Sequence, residues 1–201
     1  KLYPCSCSRK KLFEENPVNA DGEVIYSGHC LKNPIDKNSD FALRFKTPDK
    51  TITWEDLLLG KFEENPKNQC GDFTIKDRIS QWTYQFAVCV DDLEENIGLV
   101  VRGEDLRNST ARQIALLEAL GKKTPPLYLH HPLLTEKSGE KLSKRQHSKS
   151  LRAELEQGLS IEDLLGLVCY EAHSIPKRAP LTLNEAISSI QKTYFSCFLK
   201  K

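Results

Sequence analysis

No methionine occurs among the 201 residues, and no apolar run approaches the roughly 20 residues that a bilayer-crossing helix requires. The N-terminus, Lys1-Leu2-Tyr3-Pro4-Cys5, lacks the apolar core of a secretory signal. These absences exclude a membrane-spanning helix and lead to the expectation of a cytoplasmic protein. The missing methionine, including the usual start, fits a partial chain. An excess of charge is absent too: 29 Lys and Arg stand against 28 Asp and Glu, a formal net charge of +1. A nucleic-acid partner would have to be met by a local basic patch, because the chain as a whole has almost no field. Internal repeats and low-complexity segments are absent, which excludes a solenoid. With 39% hydrophobic residues, the length suits one sizeable domain or two small ones with real cores.

Seven cysteines cannot complete a disulfide framework, and the number fits a reducing compartment. Cys70, Cys89, Cys169 and Cys197 are scattered and read as packed core residues. Cys5, Cys7 and Cys30 cluster within residues 1–36, a stretch broken by Pro4, Pro17, Gly22, Gly28 and Pro34. Such a segment needs a staple. Three thiols fall one short of the four ligands of a closed structural zinc site. For the fourth, His29 is the better ligand by chemistry but is adjacent to Cys30. Tyr26 stands four residues before Cys30, a spacing that a turn through Ser27 and Gly28 closes. The residues alone leave both open.

Further along, Phe41-Ala42-Leu43-Arg44-Phe45 and Asp72-Phe73-Thr74-Ile75-Lys76 alternate as antiparallel strands do. Tyr84 to Asp91 is nearly continuous and apolar, which predicts a strand buried on both faces, as does Gly98-Leu99-Val100-Val101. Asn108, Ser109 and Thr110 offer caps for a helix carrying Ile114, Leu117 and Leu120 and ending at Gly121, before a strand at Leu127-Tyr128-Leu129-His130. Strand, helix and strand in this order predict a crossover unit whose ligand sits beyond the strand carboxyl ends, where Arg102 falls. Ser160 with Asp163, and Thr182 with Glu185, predict two boxed helices near the C-terminus.

Two short segments carry the chemistry. Lys141-Leu142-Ser143-Lys144-Arg145 places two ammonium groups where they meet charge on displaced phosphate oxygens, although alone it reads more readily as a solvated basic turn. Arg102, after Val100-Val101, offers a planar fork for a carboxylate. Together they suggest an enzyme that activates an acid with ATP.

The ordered series Gly71-Asp72-Phe73, Tyr84-Gln85-Phe86-Ala87-Val88, Val100-Val101-Arg102-Gly103, Thr110-x-Arg112-Gln113, Tyr128-Leu129-His130-His131-Pro132 and Gly139-Glu140-Lys141-Leu142-Ser143-Lys144 resembles the glutamyl branch of class I aminoacyl-tRNA synthetases. Within it, Tyr3-Pro4-Cys5-Ser6-Cys7 followed by Tyr26-Ser27-Gly28-His29-Cys30 is similar to the zinc insertion of the glutamyl-queuosine tRNA(Asp) synthetase family, which uses three cysteines and a tyrosine. The resemblance therefore implies Cys5, Cys7, Tyr26 and Cys30 as ligands of one structural Zn2+. It implies an α/β fold: the second half of a Rossmann-type nucleotide-binding domain, an inserted zinc-binding and antiparallel subdomain, and a small C-terminal helical unit. The corresponding boundaries are 1–36 for the zinc insertion, 37–80 for the rest of the insertion, 81–149 for the catalytic half with its lysine loop, and 150–201 for the helical region.

By the same resemblance, Tyr84 and Arg102 bind glutamate, while Lys144, helped by Lys141, meets ATP with its Mg2+. The implied partners are L-glutamate, ATP and tRNA(Asp) carrying queuosine, for a monomer with no membrane attachment. The HIGH-type motif of class I synthetases is absent, so the family pattern implies a missing N-terminal part, and the fragment alone is expected to be inactive. Two alternatives are a glutamyl-tRNA synthetase fragment and a non-catalytic, zinc-stapled RNA-binding module.

Overall fold

The computed structural model describes residues 1–33, 35, 40–133 and 151–196. The chain divides into two compact units, residues 1–101 with 106–129, and residues 102–105 with 130–201. The first contains β1 (Leu2–Cys5), α1 (Arg9–Glu15), α2 (His29–Lys32), β2 (Ala42–Phe45), β3 (Ile52–Asp56), β4 (Gly60–Glu64), α3 (Pro66–Cys70), β5 (Thr74–Lys76), α4 (Tyr84–Glu94), the start of β6 (Leu99–Gly103), α5 (Thr110–Ala119) and the start of β7 (Leu127–His131). The ends of β6 and β7 belong to the second unit, with α6 (Leu151–Glu156), α7 (Ile161–Glu171) and α8 (Leu183–Tyr194). Among the described residues no helix is long and apolar enough to cross a membrane.

Two sheets organise the fold. β1, β2 and β5 form an antiparallel sheet in that order, with Tyr3 opposite Arg44 and Cys5 opposite Ala42. The second sheet runs β4-β3-β7-β6, and its strands pair both ways: β3 is antiparallel to β4 and parallel to β7, where Asp56 faces Tyr128. β3 alternates strictly between buried and exposed positions, the pattern of a strand with one face on a core. The predicted strands at 41–45, 72–76, 98–101 and 127–130 all lie on or over observed strands.

One predicted strand is a helix. Tyr84 to Asp91 belongs to α4, which runs on to Glu94. A continuous apolar run does not by itself separate a buried strand from a buried helix. The deciding spacing is Phe86, Cys89 and Leu93, which recur at three and four residues and pack against Phe45, Phe73, Ile75, Leu116 and Leu117. Thr83, in extended conformation, starts the helix, and its Oγ1 donates to the Thr74 carbonyl at 2.9 Å.

α5 lies between two cores. Thr110 through Leu117 are all buried, as expected of a helix covered on every side. Leu116 and Leu117 join the core beside β2 and β5, while Ala111, Ile114 and Ala115 pack with Ile52, Trp54 and Tyr128 of β3 and β7. Cys70, Cys89 and Cys169 are buried free thiols, as packed residues should be. Cys197 lies outside the described residues.

Asp72 is the polar centre of the first sheet. It has no exposed surface. Tyr3 Oη donates to its Oδ2 at 2.7 Å and the Thr47 amide to its Oδ1 at 3.0 Å, and the Lys67 ammonium pairs with the same Oδ1. Burial, then the hydrogen bond to Asp72, pushes the Tyr3 phenol well above its ordinary range. Removing this carboxylate leaves a buried hydroxyl, a buried amide and an ammonium without their acceptor. Asp72→Ala is expected to cost about 3 to 5 kcal/mol, measured by urea denaturation, and Asp72→Asn less, because the amide oxygen still accepts.

The two boxed helices form as predicted. Ser160 accepts from the Asp163 amide and Asp163 accepts from the Ser160 amide, and Thr182 and Glu185 repeat the exchange. Hydrogen bonds from Ser160 and from Thr182 hold the Asp163 and Glu185 carboxyls below their ordinary values. A lowered carboxyl favours the folded form above its ordinary value, and the benefit disappears as pH falls through the lowered one. Helix content of α7 and α8 should therefore begin to fall only below about pH 4, followed by circular dichroism. Ser160→Ala and Thr182→Ala should make the helices weaker at neutral pH and less sensitive to acid.

Candidate functional site

The thiols expected to cluster do so. Cys5 comes from β1, Cys7 from the bend after it and Cys30 from α2, and their sulfurs lie within 4.8 Å of one another. The Tyr26 hydroxyl sits among them: Cys5 Sγ donates to it at 3.4 Å, Cys7 Sγ lies 3.5 Å away, and the Cys30 amide donates to it at 2.9 Å. Cys7 and Cys30 sulfurs are 3.4 Å apart. A tetrahedral ion with Zn–S near 2.3 Å and Zn–O near 2.0 Å sets about 3.8 Å between sulfurs and about 3.5 Å between sulfur and oxygen. The Cys5 and Cys7 distances to the Tyr26 hydroxyl match the sulfur–oxygen edge of such a site, and the Cys7–Cys30 distance falls about 0.4 Å short of the sulfur–sulfur edge. His29 is elsewhere, its Nε2 facing the Lys11 ammonium at 3.5 Å.

Electrostatics within the cluster are uneven. Burial pushes the Cys30 thiol up, but hydrogen bonds from Tyr26, the Ser6 amide, Cys7 and Cys5 outweigh it and bring it down to about 7. Burial pushes Cys7 up to about 11 and, with the neighbouring thiols, carries Tyr26 well above the usual phenol range. A thiol lowered toward neutrality beside three further donors is a set that could hold a metal ion.

The backbone holding Tyr26 is built by distant residues. Tyr26 bridges Gly71 in parallel fashion, and Gly71 has φ +64°, where a Cβ would stand 2.2 Å from the Tyr26 carbonyl oxygen. Only glycine fits that approach. The Arg44 guanidinium lies 3.8 Å above the Tyr26 ring, while its Nη1 donates to the Asp72 carbonyl at 2.6 Å. Arg44 was not anticipated as part of this region. Its signal was a lone charge inside the apolar run Phe41 to Phe45.

The motif residues at the start of α4 and in α5 are joined: Gln113 Nε2 donates to Gln85 Oε1 at 2.8 Å and Gln85 Nε2 to Ser109 Oγ at 2.9 Å. Tyr84, the first residue of α4, is 53% exposed. Arg112 sends both terminal nitrogens to the two carboxylate oxygens of Glu23, tying α5 to the cysteine-bearing segment. Burial opposes its charge, but Glu23 outweighs this and raises the guanidinium above its ordinary value.

In the second unit, Arg102 is the penultimate residue of β6, and its Nε donates to Nε2 of the wholly buried His130 at 2.9 Å. Gly103 follows, where a Cβ would meet the carboxylate oxygen Oδ1 of Asp105 at 2.6 Å. Lys141 and Lys144 lie outside the described residues.

Known proteins resemble this chain over most of its length. Residues 3–185 match the class I tRNA synthetases (E and Q), catalytic domain. The chain is 39% identical over 157 residues to the glutamyl-Q tRNA(Asp) synthetase of Verminephrobacter eiseniae, covering 75% of this chain and 53% of that one. It is 35% identical over 188 residues to the protein of the same name from Nitratidesulfovibrio vulgaris, covering 89% and 58%. It thus spans about half the length of these curated relatives. The crystal structure of glutamate-tRNA synthetase from Elizabethkingia anophelis superposes with a TM-score of 0.66 at 22% identity, covering 95% of this chain and 50% of that one, which shows a shared fold.

The Arg112–Glu23 pair makes an asymmetric prediction. The Arg112 side chain is 5% exposed and that of Glu23 42%. Glu23→Ala leaves a buried guanidinium unpaired and should cost about 3 kcal/mol. Arg112→Met removes the buried charge and leaves a carboxylate that water can reach, so urea midpoints should fall less.

Proposed function

Because the chain belongs to the class I tRNA synthetases (E and Q), catalytic-domain family, we propose that the protein containing it activates glutamate with ATP and transfers the glutamyl group to queuosine in the anticodon of tRNA(Asp). The observation that carries the choice of acceptor is 35% and 39% identity, over 89% and 75% of this chain, to proteins named glutamyl-Q tRNA(Asp) synthetase.

In this reading the carboxylate of glutamate attacks the α-phosphorus of ATP, the bond to pyrophosphate breaks, and glutamyl-adenylate forms. Arg102 pairs with a carboxylate of glutamate, and the Tyr84 hydroxyl supplies a directional hydrogen bond. A site that needs both rejects ligands lacking either partner. Lys144 and Lys141 meet the charge that builds on the phosphate oxygens, and Mg2+ accompanies the nucleotide. Queuosine on tRNA(Asp) then takes the glutamyl group and AMP departs.

Cys5, Cys7, Tyr26 and Cys30 would hold one structural Zn2+, and the spacing of their donor atoms supports this assignment. When bound, zinc cross-links the segment and supplies folding energy. Residues 1–36 would then be the zinc insertion, 37–80 the remainder of the inserted subdomain, 81–149 the catalytic half and 150–201 the helical region.

Two experiments test these assignments. With labelled glutamate and ATP, native tRNA(Asp) trimmed of its 3′-terminal adenosine should still be labelled, and an unmodified tRNA(Asp) transcript should not. Labelling that disappears on trimming overturns the queuosine assignment. By metal analysis, the protein should contain about one zinc per chain. Tyr26→Phe should weaken its retention against a chelator roughly tenfold or more, and His29→Ala should leave it unchanged. The reverse pattern overturns the ligand set.

A further inference from the structure

We propose that Arg44 is the counter-charge of the cysteine and tyrosine cluster, balancing through the Tyr26 ring the negative charge that gathers when the cluster holds a divalent ion. This inference rests on the proposed assignment of Cys5, Cys7, Tyr26 and Cys30 as ligands of one zinc. It starts from a charge that the fold leaves poorly compensated. Arg44 is only 6% exposed, and among the described residues no carboxylate pairs with it. Its Nη1 donates to the backbone carbonyl of Asp72 at 2.6 Å, while its Nε is buried without a hydrogen-bond partner. The Asp72 carboxylate is taken by Tyr3, the Thr47 amide and Lys67. A buried cation bonded to one neutral carbonyl is costly to keep.

The place of that cation supplies a reason for keeping it. The guanidinium carbon stands 3.8 Å from the centre of the Tyr26 ring, which is itself buried. Attraction to the face of a neutral phenol offsets only a small part of the cost of burying a charge. With a metal ion bound, the balance changes. Ligands of this kind bind in their deprotonated form, and three thiolates with one phenolate outweigh the charge of a single divalent ion. Cys5 and Cys30 are buried too, so water does little to screen the excess. A phenolate spreads its charge into the ring, where a guanidinium on the ring face can meet it. Arg44 does this without a hydrogen bond to the hydroxyl oxygen, whose neighbours are Cys5, Cys7 and the Cys30 amide.

An arginine that only ties chain to chain would act through its bond to the Asp72 carbonyl. A counter-charge acts through its charge and through the Tyr26 oxygen. Retention of zinc against EDTA, measured on the protein that contains this chain, separates the two. Arg44→Gln keeps a donor for the carbonyl and loses the charge, whereas Arg44→Lys keeps both. Arg44→Gln is expected to weaken retention about tenfold or more, and Arg44→Lys should hold zinc nearly as well as the unmutated protein. Combined with Tyr26→Phe, which keeps the ring and removes the oxygen, Arg44→Gln should add little.

Equal losses in Arg44→Gln and Arg44→Lys, or full additivity with Tyr26→Phe, overturn the inference. If the unmutated protein retains zinc and Arg44→Gln releases it no faster, the role of Arg44 alone falls. If the unmutated protein retains no zinc, the ligand assignment falls and the role of Arg44 with it. Should the Arg44 variants fail to fold, nitrogen-15 spectra of the arginine side chains in zinc-loaded protein decide. A shift of the Arg44 resonances on Tyr26→Phe supports the inference, and resonances that stay in place overturn it.

Discussion

The carboxylate of Asp72 joins three other stretches of chain to its own. Tyr3 reaches it from β1, the Thr47 amide from the turn after β2, and Lys67 from α3. Its own backbone carbonyl holds Arg44, which in turn covers the ring of Tyr26. A negative charge with no access to water is tolerable only with this many donors around it. The same crowding makes the arrangement specific, since a register shift in β1 or β2 would leave the charge stranded. The cysteine cluster, packed with Tyr3, Leu12 and Ile35, is thus also supported from behind by polar contacts.

Gly71 and Arg112 extend that support. One lets the backbone of Tyr26 lie against the chain just before Asp72. The other anchors Glu23, three residues before Tyr26, to a helix buried between two cores. Several residues of the motif series therefore serve architecture first. Asp72 accepts from the Tyr3 hydroxyl and the Thr47 amide, Gln113 donates to Gln85, and Arg112 pairs with Glu23.

Much of this was legible in the residue order because the signals are local. The capping boxes at Ser160 and Thr182, the apolar spacing of α5 (Thr110–Ala119) and the strand β2 need only neighbours within a turn or a strand, although Ser109 makes no side-chain cap to α5. Cys5-x-Cys7 with Cys30 was legible because thiols at short spacing have few other uses. Tyr84 to Asp91 misled because apolar continuity is shared by buried strands and buried helices, and the pattern of Phe86, Cys89 and Leu93 gains its meaning only from the core they enter. β3 and β4 went unnoticed even though Ile52, Trp54 and Asp56 alternate cleanly, because Glu55 and Lys61 dilute the apolar signal. The acceptor role of His130 and the buried hub at Asp72 depend on partners 28 and 69 positions away, and no local pattern announces them.

The span between Glu23 and Arg112 is 89 positions. At ribosomal elongation rates that distance corresponds to roughly five to twenty seconds of synthesis. The loop of Cys5, Cys7 and Cys30 is therefore complete as covalent chain well before α5 exists to clamp it. During that interval Glu23 lacks the guanidinium that holds it in the folded chain.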